Sequence, residues 1–377
     1  MKRIPQIYES TATALDGYAL GSVPDSLSCK VTEERNGGFF CEMSYPANGL
    51  NASLLKVGRI MAVQPNMYDA VQPFRIATIE KDLSGTIDVT AYHISYDLSQ
   101  VIVMPFTAAD SDDAIQGLMD YAVPANGFTI SADFTVTAAF SVTQPTPLRS
   151  LLVGSEGSLV DLYGGELRFD GWNVSLEKPR GVTRNVQIAY GKNLTGFKET
   201  DENGAYDAVV PFAVLDDVIY TLTDTSVCAT APVVYANGSG SSYGYPKAIP
   251  LDLSDKFDAA PTQAQLYTYA QNYTRRNSTQ PTANYSTEYV DLAKLIGATE
   301  RVDLCDTIYI TVTPFRVWNL TAKVVSLTYD VLLDENAKVE VGDRKVTLAD
   351  TLAETIIAAG QKAPGAIKIR NADTILY

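Results

Sequence analysis

The chain has 377 residues, 46% apolar and 19% charged, a balance that suits packed cores and excludes global disorder. Its net charge of −15, with no basic run longer than Arg275-Arg276, excludes a dedicated nucleic-acid binder. The longest apolar runs, such as 101–106, are too short to cross a bilayer, so no stable membrane insertion is expected.

The first hundred residues read as strands. Over 38–45, Phe39, Cys41 and Met43 alternate against Phe40, Glu42 and Ser44. Strands over 73–81 and 87–93 flank Ser84-Gly85, a hairpin signature. A helix follows, with Ser111 as N-cap, Ile115, Leu118, Met119 and Ala122 as its apolar stripe, and Pro124 as its limit. Strict alternation over 129–142 predicts one long strand or a hairpin, with Ile130, Phe134, Val136, Phe140 and Val142 inward. A short helix is expected over 148–153, a turn over 154–157, and strands over 159–163 and 166–170 around Gly164-Gly165.

Beyond Trp172 the text is again strand and turn, over 173–178, 184–190 and 207–213, with a Gly/Ser/Tyr-rich loop over 231–246. Pro261 precedes a helix whose Leu266, Tyr269, Ala270 and Tyr273 share a face, with Arg275 and Arg276 at the cation-favouring C-terminal end. Strands are expected over 307–312 and 320–333. A last helix opens at Thr347, lined by Leu348, Leu352, Ile356 and Ala359, and 361–377 forms a tail. The 22 tyrosines and many threonines lean the same way, since both suit pleated surfaces. The expected class is α+β, mainly β, in several subdomains.

Chemistry is constrained by scarcity. One histidine, His93, cannot assemble a His-based zinc site, and any Ser-His or Cys-His nucleophile would have to run through it. It sits in strand-like text, Thr90-Ala-Tyr-His-Ile-Ser-Tyr96, which favours a structural histidine. No G-x-S-x-G elbow or Walker loop occurs. Asp110, Asp112 and Asp113 read as a helix N-terminal turn; Asp201, Glu202 and Asp207 flank the turn Asn203-Gly204. A glycosidase-type carboxylate pair stays open on these grounds. The run Gly238 to Gly244 lacks a lysine and reads as a loop, not a phosphate cradle. The cysteines, Cys29, Cys41, Cys228 and Cys305, have no C-x-x-C pair; buried free thiols are expected, with a Cys29–Cys41 bridge as the alternative. No apolar stretch follows Met1-Lys2-Arg3, so no signal peptide is expected, and the Asn-x-Ser/Thr triplets such as Asn51 are read as chance. No catalytic, cofactor-binding or metal-ligating residue is assigned.

Four ordered groups of segments carry a resemblance. They are Val71-Gln-Pro-Phe-Arg-Ile76 with Thr90-Ala-Tyr-His-Ile-Ser-Tyr-Asp-Leu98; Gly157-Ser-Leu-Val-Asp161 and Gly164-Gly-Glu-Leu-Arg-Phe-Asp170, leading to Lys178-Pro-Arg-Gly181 and Ile188-Ala-Tyr-Gly-Lys-Asn-Leu194; Ile249-Pro-Leu-Asp-Leu-Ser-Asp-Lys-Phe257; and Val302-Asp-Leu-Cys-Asp-Thr-Ile308 with Ala322-Lys-Val324 and Leu327-Thr-Tyr-Asp330. In that order, over roughly 35–355, the chain resembles the phage tail-tip hub family, the "prophage endopeptidase tail" or tail-associated lysin family, whose fold is similar to the central hub proteins of contractile tails. The resemblance implies a homotrimer with two tail-tube-like β-barrels per subunit. It divides the chain into a first barrel at 1–100, an α/β subdomain at 101–175, a second barrel at 176–345 with an inserted helical segment near 255–295, and a C-terminal helix and tail at 346–377. It implies assembly in the host cytoplasm and a place at the virion's tail tip. The implied partners are the distal tail protein, the tape-measure protein, and receptor-binding, fibre or spike proteins. Phage DNA would pass the lumen without specific binding, and an acidic lumen would repel it. Many members continue into a lytic domain; this chain ends at Tyr377, so no enzyme is expected. Two rivals remain: a peptidoglycan hydrolase, and a saccharide-binding protein using Tyr243, Tyr245 and Tyr269, since aromatic rings stack on sugars.

Overall fold

The computed structural model describes residues 4–155, 157–202, 206–215, 218–238, 240–241, 244–245, 247–257, 259–277, 282–289, 301–315 and 317–342. The protein is mainly β, with short helices set against curled sheets.

The strand expected over 38–45 and the hairpin expected over 73–93 are present, and a strand the sequence did not announce, Ser28–Glu34, precedes them. Strand Ser28–Glu34 pairs antiparallel with Phe39–Pro46, with Val31 opposite Cys41. The turn between them holds Asn36 at φ 52°, a left-handed position that asparagine tolerates. Inward positions alternate as Cys29, Val31 and Glu33 on one strand and Phe39, Cys41, Met43 and Tyr45 on the other. Gln72–Lys81 and Thr86–His93 form the second hairpin, closed by Gly85 at φ 83° and by Asp82, whose Oδ1 accepts from the Ser84 amide at 2.8 Å.

Among the described residues, the main sheet contains 13 strands and ignores chain order. From one end it runs Leu194–Glu202, Thr282–Tyr289, Glu335–Val341, Val317–Asp330, Ser28–Glu34, Phe39–Pro46, Thr86–His93, Gln72–Lys81, Ile60–Val63, Gln6–Tyr8 and Gly21–Ser22. Thr307–Val312 pairs antiparallel with Val317–Asp330 and parallel with Thr183–Ala189. The contact between Ser28–Glu34 and Val317–Asp330 sets Val31 opposite Tyr329, and the Thr32 and Thr328 hydroxyls meet at 3.1 Å. Two segments some 296 positions apart in sequence thus share one ladder.

Three apolar cores lie beneath these sheets. The first collects Ile7, Phe39, Phe74, Leu98, Leu118, Phe140, Leu152 and Leu176, among others. The second holds Val186, Ile188, Leu304, Ile310, Val324 and Val341. The third joins Val209, Ala213, Leu251, Leu266 and Ala270, where helix Gln263–Asn277 covers a sheet of Ala208–Leu215, Val218–Thr221, Val234–Tyr235 and Ala248–Asp252.

Several expectations are corrected. Residues 159–163 form a helix, Leu159–Tyr163, and not a strand: Ser158 accepts from the Asp161 amide as N-cap, and Gly164 at φ 72° ends it. Five residues are too few for alternation to distinguish the two, whereas Ser158 and Asp161 have N-cap spacing. Asp110, not Ser111, caps helix Ser111–Asp120 by accepting from the Asp113 amide at 2.9 Å; the Ser111 hydroxyl instead accepts from the Val136 amide. The long strand over 129–142 is two short ones. Thr129–Ala132 lies parallel to Asn173–Glu177, and Phe140–Val142 antiparallel to Phe106–Ala108. Burial still alternates across 129–142, although the chain bends at 133–134 and its ladder partners change. On helix Gln263–Asn277 the buried stripe is Leu266, Ala270 and Thr274, while Tyr269 is 43% exposed and rests edge-on against Phe257. The short helix Leu148–Leu152 and strands Glu166–Asp170 and Thr307–Val312 stand as expected. The helix expected from Thr347 lies outside the described residues. Among the described residues, no helix is long and apolar enough to cross a membrane.

Candidate functional site

Strand alternation places His93 inward at the end of Thr86–His93, and the chain then turns into the 3-10 segment Ile94–Gln100. His93 is fully buried and stacks on Phe39, centroids 4.5 Å apart, with Phe74 edge-on. Its Nδ1 meets the Ser95 hydroxyl at 3.0 Å and its Nε2 meets the Gln72 side-chain oxygen at 3.2 Å. Gln72 donates to Asp170 at 2.8 Å and accepts from the Gly171 amide at 2.6 Å. Buried Arg149 reaches the Ser95 hydroxyl at 3.1 Å and lies 3.7 Å over the Tyr96 ring. Burial, with Arg149 nearby, pushes the His93 pKa well below its usual range, so the ring is neutral. As folded, a base sealed among aromatic rings cannot activate a nucleophile for an external substrate.

One turn away, Arg75 grips Asp97 in a fork, Nε to Oδ1 at 2.8 Å and Nη2 to Oδ2 at 2.6 Å. Its Nη1 donates to the Gly58 carbonyl at 2.7 Å. Planar guanidinium suits this bidentate geometry.

A charged seam runs where the segment after Asn173–Glu177 crosses to Thr183–Ala189. Arg180 Nη2 lies 2.7 Å from Glu33 Oε1, both side chains under a tenth exposed. Arg180 also donates from Nη1 to the Leu167 carbonyl and from its amide to Glu166. Burial works against the Arg180 charge, and Glu33 more than offsets it, so its pKa stands above the usual value. Glu166 binds Lys323 as well and has Arg35 at 3.8 Å. Next in sequence, a Cβ on Gly181 would stand 2.0 Å from the Cys305 carbonyl oxygen, so only glycine fits. The Val182 amide then donates to Asp306 at 2.9 Å, and Arg184 pairs with both Asp306 and Asp303. Arg301 also binds Asp303 and lies 3.9 Å over the Tyr68 ring. Burial raises the Asp303 pKa, with Arg301 opposing it. Burial pushes the Cys305 thiol up to about 12.

The seam borders an open cleft lined by Asp69, Arg168, Arg180, Arg184, Arg301 and Asp303, among others. Its charges alternate in sign and pair with one another. That arrangement fastens elements together; it presents no nucleophile beside a base. Among the described residues no group of His, Cys, Asp and Glu is arranged to hold a metal ion.

The other candidates are scattered. Asp112 accepts from the Thr135 hydroxyl at 2.9 Å on the helix Ser111–Asp120. Asp201 and Glu202 end a strand, and Asp207 is buried and accepts from Ser241. Tyr245 is 48% exposed, with Lys247 above its ring at 5.9 Å; Tyr243 lies outside the described residues. All four cysteines are buried free thiols. Sequence reasoning missed Glu33, although a carboxylate at an inward position of an alternating strand signalled a buried partner.

Segments of the first, second and fourth groups quoted for the family resemblance meet here. Gln72 and Arg75 of the first group hold His93 and Asp97 of the same group. Glu166, Arg180 and Gly181 of the second meet Lys323, Cys305 and Asp306 of the fourth or pack beside them. Residues 182–352 match the model of the prophage endopeptidase tail family. The whole chain superposes on solved prophage tail proteins. Prophage tail protein gp18 from Listeria monocytogenes aligns over 95% of this chain and 99% of its own, with TM-score 0.54 and 13% identity. A 43 kDa tail protein of prophage MuSo2 from Shewanella oneidensis aligns over 90% and 98%, with TM-score 0.58 and 10% identity. A tail protein from Neisseria meningitidis aligns over 92% and 98%, with TM-score 0.53 and 6% identity. The chain has the prophage tail protein fold. No curated protein matches it in sequence.

Proposed function

We propose that this chain is a structural subunit of a bacteriophage tail: a trimeric hub at the tail tip, not an enzyme. In this reading the hub closes the tube below the distal tail protein, anchors fibre or spike proteins, meets the end of the tape-measure protein, and opens for DNA ejection. Segments 1–100 and 176–345 are, in this reading, the two tail-tube-like barrels of each subunit, joined edge to edge where Ser28–Glu34 pairs with Val317–Asp330. The observation that carries the reading is the end-to-end fold likeness to prophage tail proteins, 90–95% of this chain against 98–99% of theirs. The sealed His93 and the self-paired seam supply a rigid frame and argue against hydrolysis through His93. The test is the absolute mass of the full chain by light scattering, with antibody labelling of tails carrying it. A stable species at three times 40.8 kDa and label at the tip are expected. A monomer at every concentration, or label along the tube, overturns the trimeric tip reading. Peptidoglycan zymograms are expected to be blank; a cleared band would restore the hydrolase.

A further inference from the structure

Cys29 and Cys41 lie on adjacent strands of the first hairpin and point to the same face. Cys29 stands opposite Met43 and Cys41 opposite Val31, which makes the two cysteines diagonal neighbours. Both are fully buried, and their sulfurs approach to 3.8 Å. Diagonal cross-strand neighbours have Cα atoms roughly 7–8 Å apart, so closing the remaining gap between the sulfurs needs a local shift of the two strands as well as of the side chains. Cys228 and Cys305, by contrast, each sit in a different core, among aliphatic neighbours. We propose that Cys29 and Cys41 are a latent redox pair, thiols in the chain as made, which closes to a disulfide fastening Ser28–Glu34 to Phe39–Pro46 outside a reducing compartment.

The bond would fall at a consequential place. Ser28–Glu34 is the strand that carries Glu33 to Arg180 and joins the Val317–Asp330 ladder. Fixing it to Phe39–Pro46 fastens the point where the early and late segments of the chain meet. The setting rests on the reading of the chain as a particle component, made in a reducing cytoplasm and then released. The chemistry does not rest on it.

The oxidant is a small disulfide such as oxidised glutathione. One cysteine thiolate attacks a glutathione sulfur, breaks its S–S bond and expels one glutathione thiolate. The second cysteine attacks the mixed disulfide and expels the other. The two cysteine protons pass to solvent and end on the two glutathiones; the cysteines are oxidised and the reagent reduced. Hydrogen bonding with Cys29, together with burial, raises the Cys41 thiol well above its usual range. The closed sheet therefore holds the pair reduced, and oxidation waits on opening of the hairpin.

The full chain, purified under reductant and desalted, would be incubated folded with oxidised glutathione, with and without sub-denaturing urea. Thiols would be counted in denaturant and disulfides mapped by non-reducing peptide mass spectrometry. The expected result is a fall from four thiols to two, one linkage joining Cys29 to Cys41, faster closure in urea, and a higher melting temperature that reductant reverses. Cys29→Ala should keep three thiols and lose the redox response of its melting temperature. Four thiols surviving both incubation and refolding in the oxidant, or linkages through Cys228 or Cys305, would overturn the proposal. These readouts are independent of oligomeric mass, so this inference and the trimeric reading fail separately.

Discussion

Replacing Arg180 by methionine tests whether the seam fastens the fold. The substitution keeps the aliphatic stem but strands the Glu33 carboxylate, whose side chain is 9% exposed and lies 2.7 Å from the guanidinium. Removing one member of a buried pair costs about 3–5 kcal/mol, because a desolvated charge is left without compensation. At about 2.1 cal/mol/K of unfolding entropy per residue, a 377-residue chain shifts by roughly 1.3 °C per kcal/mol, so the melting temperature should drop by roughly 4–6 °C. Glu33→Leu should cost a similar amount, since it leaves Arg180 uncompensated. The double variant should recover most of the loss, because two apolar side chains replace two mutually dependent charges. Calorimetric or urea unfolding of the four proteins completes the cycle. Arg168, 39% exposed at its side chain and paired with Glu177 at 3.1 Å, is the control: Arg168→Met should cost under about 1 kcal/mol. If both seam singles cost under about 1 kcal/mol, or the double equals the sum of the singles, the seam is ornament and the argument fails.

Other outcomes follow from single sites. Gly181→Ala should destabilise by about 1–3 kcal/mol or more, because its Cβ would meet the Cys305 carbonyl at 2.0 Å, and backbone must move; thermal unfolding reads it. The His93 pKa is depressed when folded, so the unfolded chain binds the extra proton. Its contribution is fully present above the unfolded value of about 6.5 and is lost as pH falls below it, by up to about 1.4 kcal/mol per pH unit. His93→Gln should flatten that acid limb in unfolding measured from pH 7 to 5; an unchanged slope would refute the assignment. Cys305, at about 12, should resist alkylation by iodoacetamide at pH 8 while the chain is folded and react freely in denaturant.

Local pattern made much of this protein readable. The strand at 39–46 and the hairpin at 72–93 were legible because alternation and turn residues act over a few positions, whereas Ser28–Glu34 was not read. The small helix Leu159–Tyr163 was misread, since five residues carry too little period, yet its Ser158 cap was visible. The split of 129–142 was hidden because burial and hydrogen-bond pairing are separate properties. Alternation reports only the first, and the partner strands Asn173–Glu177 and Phe106–Ala108 lie elsewhere in the chain. For the site, sequence text marked Arg180, Gly181 and Asp306 as segments of a resemblance but gave no reason for them.

By itself the sequence determined the mainly β class, the confinement of His93 to a strand end, and the likeness to phage tail proteins, because each rests on residue type and short spacing. The tertiary structure decided that Ser28–Glu34 pairs with Val317–Asp330, that Glu33 faces Arg180, and that Gly181 lies against Cys305. Those contacts join positions more than a hundred residues apart. Such pairings are selected by the joint burial of whole faces and by compensation of buried charge, neither of which leaves a local period to read.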